Sequence, residues 1–216
     1  MYDFHTHTLL SDGDLLPTEL LRRMQVLGYT VVGITDHVDA GNIEETLASL
    51  GRVTKSAHTM GIRLLRGVEI THVPPAEIAE LALYAKENGA DIVVVHGESP
   101  VEPVMPGTNH AAVSCPHVDI LAHPGLLTEE DASLARRNNI ALEITARGGH
   151  NRTNGHVVRV AEKTGCLMVV DSDAHHPGDL MSARDREIIG SGAGITGELL
   201  KNLLSTEGNE FYHRFT

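Results

Sequence analysis

The chain contains no tryptophan, and only 3 phenylalanines and 4 tyrosines among its 216 residues, so recognition through aromatic surfaces is a poor expectation. Its two cysteines, Cys115 and Cys166, make neither a disulfide framework nor a C-x-x-C site, and they read as core fillers in a reducing compartment. No apolar run approaches the roughly 20 residues that cross a bilayer. The opening Met1-Tyr2-Asp3-Phe4-His5 carries neither a basic nor an apolar leader. A cytoplasmic protein without membrane contact is expected. Positive charge is also short: Lys and Arg number 17 against 29 Asp and Glu, a formal net charge of -12. Such a balance repels a phosphate backbone, which makes nucleic acid an unexpected partner.

Histidine, by contrast, is abundant, with 14 copies, and points to metal or acid/base chemistry. The length suits a single domain spanning 1–216. Seven short runs rich in β-branched residues, at 2–7, 30–37, 64–71, 91–96, 118–123, 140–145 and 167–173, are each followed by helical periodicity, the βαβα order of a parallel sheet. Gly28, Gly61, Gly89 and Gly165 read as helix closers, with Asn138-Asn139 in the same role. Pro17, Asn42, Pro74-Pro75 and Thr128 read as helix openers. Seven βα units suggest an α/β fold closed into a barrel, with an open doubly wound sheet as the competing arrangement. The one irregular stretch, 98–107, holds Pro100, Pro103 and Pro106.

In parallel folds the C-terminal strand ends gather on one face, where active sites lie. The unusual residues fall there: His5 and His7 on the first run with Asp12 just beyond, Asp36-His37 on the second, then Glu69, His96, His123 and finally Asp173-Ala174-His175. Strand alternation points His5 and His7 to one side. Burying so many polar groups without cations would cost several kcal/mol each. Imidazole plus carboxylate without thiolate suits Zn, Mn or Fe better than Mg or Ca, and the number of ligands calls for at least two ions.

Taken jointly, His5-Thr6-His7, Ser11-Asp12-Gly13, Thr35-Asp36-His37, Gly67-Val68-Glu69, His96, Ala122-His123-Pro124-Gly125 and Ser172-Asp173-Ala174-His175 resemble the polymerase and histidinol phosphatase (PHP) family over essentially the whole chain. The resemblance implies a distorted (β/α)7 barrel, in agreement with the independent count of runs. It also implies a site for two to three divalent ions. His5, His7, Glu69 and Asp173 would hold one; Glu69 would be shared with a second on His96 and His123; Asp12, His37 and His175 would hold the third. At Asp12 the family varies between Asp and His. Glu69, Asp173 and His175 are the implied catalytic residues.

The implied activity is hydrolysis of a phosphoester by metal-activated hydroxide, with a small phosphate monoester as the expected substrate. Divalent ions would place positive potential in one mouth of an acidic protein. Three other readings stand beside it. A PHP- or TatD-like nuclease would want a basic patch that is missing; an amidohydrolase usually places a bridging Lys where His96 ends the fourth run; a non-catalytic PHP subunit should have lost ligands. Beyond the ligands, Arg147, His150 and Arg152 read either as a phosphate clamp or as a solvated loop. Glu143 is expected either to point into the barrel behind the ligands or to pair with an arginine, Asp36 to orient a ligand, and His176 to lie close enough to touch substrate. Glu98 either lines the mouth or is solvated. His58, His72, His110, His117, His156 and His213 read as surface or helix-end residues.

Overall fold

The computed structural model describes residues 1–215. Its strands, all parallel, are β1 (Tyr2–Asp3), β2 (Val31–Ile34), β3 (His37–Val38), β4 (Arg63–Ile70), β5 (Ile92–His96), β6 (Ile120–Ala122), β7 (Ala141–Thr145) and β8 (Met168–Asp171). The order is β1-β2-β4-β5-β6-β7-β8, and β3 continues the β2 position by pairing with the upper half of β4, His37 opposite Glu69. Seven positions thus form a nearly closed, distorted (β/α)7 barrel. The seam between first and last positions is joined by a parallel bridge, Thr6 to Ala174, with His7 N donating to Ala174 O at 2.9 Å and Asp173 N to His5 O at 3.0 Å.

Two expected strands are less regular than their runs suggest. The run at 30–37 breaks between Ile34 and His37, where Asp36 turns its carboxylate onto Thr8 N, Thr8 Oγ1 and Ser11 Oγ at 2.7–2.8 Å. The run at 2–7 is regular only over Tyr2–Asp3. Here side chains replace the ladder: Asp3 accepts from His5 N and Ser172 N, and Asp171 accepts from Phe4 N.

Between the strands lie α1 (Pro17–Val26), α2 (Ile43–Thr59), α3 (Ile78–Glu87), α4 (Thr108–Ser114), α5 (Glu129–Arg137) and α6 (Asn154–Thr164); α7 (Ala183–Gly192) and α8 (Gly197–Leu204) follow the last strand. The expected punctuation is in place. Pro17 opens α1 at its first position, and Thr128 caps α5 by accepting from Asp131 N. After α2 and α6 the chain turns through left-handed Gly61 and Gly165, φ 70° and 68°, a conformation that would strain a side chain. No described helix is long and apolar enough to cross a membrane.

Alternation along the strands connects core to site. In β5, Val93 and Val95 pack outward against the helices, whereas Ile92 and Val94 enter a separate cluster inside the barrel; two residues further along that face comes His96. Leu65 leads in the same way to Glu69, Ala141 to Glu143, and Val169 through Asp171 toward Asp173. The barrel is therefore apolar at its floor and polar at its mouth. The C-terminal segment seals the floor: Phe211 meets Phe4 edge-on at 5.3 Å, Phe215 lies 5.5 Å from Phe4, and Tyr2 stacks on Phe4 at 4.6 Å. All 3 phenylalanines are spent there.

Candidate metal centre

All nine residues expected as ligands converge at the mouth, in three neighbouring sets. The first consists of His5, His7, Glu69 and Asp173. Its donor atoms stand close together: His5 Nε2 to His7 Nε2 3.0 Å, His5 to Glu69 Oε2 3.3 Å, His7 to Glu69 Oε2 3.5 Å, His7 to Asp173 Oδ1 3.2 Å and His5 to Asp173 Oδ1 3.8 Å. A tetrahedral zinc bonded at about 2.0–2.1 Å sets its donors about 3.3–3.4 Å apart. The observed spacings bracket that edge length. In the outer set, His37 Nε2 and His175 Nε2 lie 3.5 and 3.3 Å from Asp12 Oδ1 and 3.4 Å from each other.

Glu69 sits between the sets. Its Oε2 is 2.7 Å from His37 Nδ1, and its Oε1 is 3.5 Å from His123 Nε2. Despite four neighbouring imidazoles, neither oxygen makes a well-aligned hydrogen bond, and both are buried. A fully buried carboxylate left this way would be costly unless its lone pairs met a cation. The donor chemistry and spacing fit divalent ions.

Three of the imidazoles, those of His5, His96 and His175, are aimed by acceptors behind them. His96 Nδ1 lies 3.0 Å from Gly97 O, and His175 Nδ1 lies 2.9 Å from Asp173 O. Because a carbonyl only accepts, Nδ1 carries the proton and Nε2 turns its lone pair to the centre. Glu143 Oε1 accepts from His5 Nδ1 at 2.6 Å, and its Oε2 accepts from His123 N at 3.0 Å, so one buried side chain holds two ligand residues. His123 and Asp173 have left-handed backbones, φ 29° and 51°, and such strain in non-glycine residues gathers at functional sites. Gly13 packs against the His7 backbone so closely that a Cβ would fall 2.6 Å from the His7 carbonyl.

Charges are balanced within the cluster. Burial holds His7 down at about 3 and keeps it neutral. Burial also lowers His37, but Glu69 and Asp12 outweigh it and lift His37 to about 9. For Glu69 itself burial works upward, yet His5 and His37 keep it well below the ordinary carboxylate range. Asp12, opposed in the same way by burial, is brought to about 2 by His175, His37 and His7.

The remaining expectations separate. Of the pair expected to share an ion with Glu69, His123 Nε2 lies 3.5 Å from Glu69 Oε1, and His96 Nε2 faces Glu102 Oε2 at 3.1 Å. His150 is buried beside His96 and His123 rather than lying with the two arginines. Arg147 pairs with Asp179 at 3.4 Å, and the same Asp179 oxygen accepts from His175 N and His176 N. Arg152 is exposed. His176 is turned to cap the turn at Pro177–Asp179, and Glu98 accepts from Gly107 N and Asn109 N, which fixes a loop instead of lining the mouth. Glu102, in the proline-rich stretch, escaped the sequence reading, as did the pairing that exposed His72, read as a surface residue, makes with it, His72 Nε2 lying 2.8 Å from Glu102 Oε2. No periodic signal marks either. A pocket of about 450 Å³ opens over the centre between Asp12, His37, Asp39, His72 and Glu102.

A family model described as the PHP domain matches residues 3–98. An uncharacterized protein of Methanocaldococcus jannaschii is 44% identical over 205 residues, spanning 94% of each chain. Ribonuclease P protein component 3 of Methanosarcina mazei is 28% identical over 220 residues, 95% of this chain and 85% of the relative. Among solved structures, histidinol phosphate phosphatase from Lactococcus lactis, complexed with zinc, L-histidinol and phosphate, shares the fold with a TM-score of 0.64 at 13% identity, covering 90% of this chain and 94% of that one.

Proposed function

The chain belongs to the PHP family, and on that premise we propose that it is a metal-dependent phosphoesterase hydrolysing a small phosphate monoester. The observation carrying this reading is the spacing of the donor atoms, 3.0–3.8 Å within the inner set and 3.3–3.5 Å within the outer one. Divalent ions bound there would supply a water of lowered pKa and the charge that offsets phosphate oxygens. Zn, Mn and Fe all suit these ligands, and the zinc and phosphate of the Lactococcus enzyme support the choice of zinc. The chain's own contribution is position. Glu143 fixes His5 and the His123 backbone; Glu69 and Asp173 bring negative charge to the ions; His37 and Asp12 stand where the pocket opens, with His175 beside Asp12. Arg147 is assigned to the substrate's phosphate, its guanidinium oriented by the same Asp179 oxygen that accepts from His175 N; the expected role of Arg152 rests on its place in the sequence alone.

The likeness to a ribonuclease P component favours a second reading, a protein component of an RNA-processing assembly. A net charge of -12 opposes RNA binding unless the ions at the mouth reverse it locally. The deciding experiment loads the protein with Zn²⁺ or Mn²⁺ and compares phosphate monoesters, diesters and structured RNA. Monoesters should be turned over fastest, and chelation should abolish the activity. RNA bound or cut while every monoester is ignored would establish the second reading instead.

A further inference from the structure

We infer that His150 and Glu102 are ligands of the ion held by His96 and His123, giving it three imidazoles and, beside the shared Glu69, a carboxylate delivered by a loop. The inference rests on the metal-dependent reading above and adds two residues to the nine that the resemblance assigned. Ligand atoms of His96, His123 and His150 all lie within 4.8 Å of one another, as do those of His72, His96 and Glu102. The rings crowd together: His150 is 4.4 Å from His123 and 5.7 Å from His96, centroid to centroid. Glu102 spans the group, with Oε1 3.2 Å from His150 Nε2 and Oε2 3.1 Å from His96 Nε2.

Ordinary hydrogen bonding accounts poorly for this arrangement. His96 has already committed its Nδ1 proton to Gly97 O, so its Nε2 meets the Glu102 carboxylate lone pair to lone pair unless the ring is an imidazolium. His150 is only 7% exposed, and its Nδ1, like that of His123, has no hydrogen-bond partner. Two buried imidazoles, His96 and His150, bring their Nε2 atoms to one carboxylate while packed edge to face, an arrangement that costs free energy unless a cation or proton lies between them. A cation accepting the Nε2 lone pairs of His96 and His150 and one Glu102 oxygen would turn this facing of lone pairs into ligation, and three imidazoles with carboxylate oxygen is a donor set suited to zinc.

Two loops build this group. The segment 97–107 is pinned at both ends, Glu98 N donating to Asn109 Oδ1, the Glu98 carboxylate accepting from Gly107 N and Asn109 N, and Asn109 Nδ2 donating to Pro124 O. Val101 packs on Gly149, where a Cβ would come within 3.3 Å of its Cγ1, and this contact sets the next residue, Glu102, over the next residue, His150. On the outside, His72 adopts φ 55° and holds Glu102 Oε2 at 2.8 Å, the placement of a positioning residue.

The test is titration with Co²⁺ and Zn²⁺, reading ions per chain and the visible absorption of the cobalt form, in the wild-type chain and in His150→Ala, His150→Gln and Glu102→Gln, with exposed His110→Ala as control. The His150 and Glu102 variants should bind one ion at least roughly tenfold more weakly and change the cobalt spectrum; the control should do neither. Glu102 lies on the surface of a loop, so Glu102→Gln decides the matter even where a His150 variant folds poorly. Unchanged stoichiometry, affinity and spectrum in Glu102→Gln and in a folded His150 variant would remove both residues from the ligand set. A wild-type chain that takes up no ion would instead overturn the metal-dependent reading, and this inference with it.

Discussion

Glu69 is fully buried and faces His5, His7, His37 and His123 at 2.7–3.5 Å, so its charge serves more than one set at once. His175 has a single neighbouring carboxylate of the outer set, Asp12. Glu69→Gln should therefore lose more metal than His175→Ala, which empties one corner of one set; counting ions per chain after loading and dialysis measures the difference. Equal, small losses would show that Glu69 is not shared. Glu143 acts one step back, through His5 Nδ1 and His123 N. Glu143→Gln should weaken metal binding by about 10–100-fold while the far-ultraviolet circular dichroism is retained. At this scale the strand-end residues were legible, because each lies beside a β-branched run. Glu102 and its pairing with His72 were not, since a single carboxylate or imidazole in irregular chain looks the same whether it faces solvent or a neighbour.

The elements that carry these residues owe their register to alternation. Ile92 and Val94 face the barrel interior, so His96 must as well, and only a strand in that register satisfies both the floor and the mouth. The irregular elements are where this rule gives way: between β2 and β3 the Asp36 side chain binds the turn at 8–13, a local choice that no hydrophobic pattern encodes. Gly13 makes the turn testable. Gly13→Ala would set a methyl against the His7 carbonyl at 2.6 Å, forcing the turn away from the first strand and moving His7 and Asp12 together. Overpacking of this kind costs about 1–3 kcal/mol, roughly 2–4 °C in Tm for each kcal/mol at this size, and both the inner and the outer set should hold their ions more weakly. Gly148→Ala, with nothing within 4 Å, should alter neither Tm nor metal content.

For the molecule as a whole, floor and mouth are separate tasks at opposite ends of one barrel. Phe211→Ala, which empties a fully buried place against Phe4 and Phe215, should cost about 3–5 kcal/mol in denaturant unfolding and leave the ions per folded chain unchanged. The mouth should respond to pH instead. Burial lowers His37, yet Glu69 and Asp12 raise it to about 9, so below that pH the metal-free imidazole is protonated and an incoming ion must expel the proton. Affinity should rise with pH, by up to about tenfold per unit for one proton, and level off above about 9. Calorimetry in buffers of different ionisation enthalpy counts the proton released; uptake independent of pH between 7 and 9 would contradict the assignment of His37.

The amino-acid sequence by itself determined the order of βα units and the strand ends on which His5, Glu69, His96, His123 and Asp173 gather, because a two-residue strand period and helix-closing residues such as Gly61 are local physics; closure into a barrel instead of an open doubly wound sheet was implied by the family resemblance and is made by the seam between Thr6 and Ala174. Tertiary structure decided which ligands keep company. His96 faces Glu102, and His150 leaves Arg147 and Arg152 to join His96 and His123. Those pairings depend on Val101 packing against Gly149, two loops about fifty residues apart in the chain. Contacts between loops carry no periodicity, so only the closed barrel brings them within reach of each other.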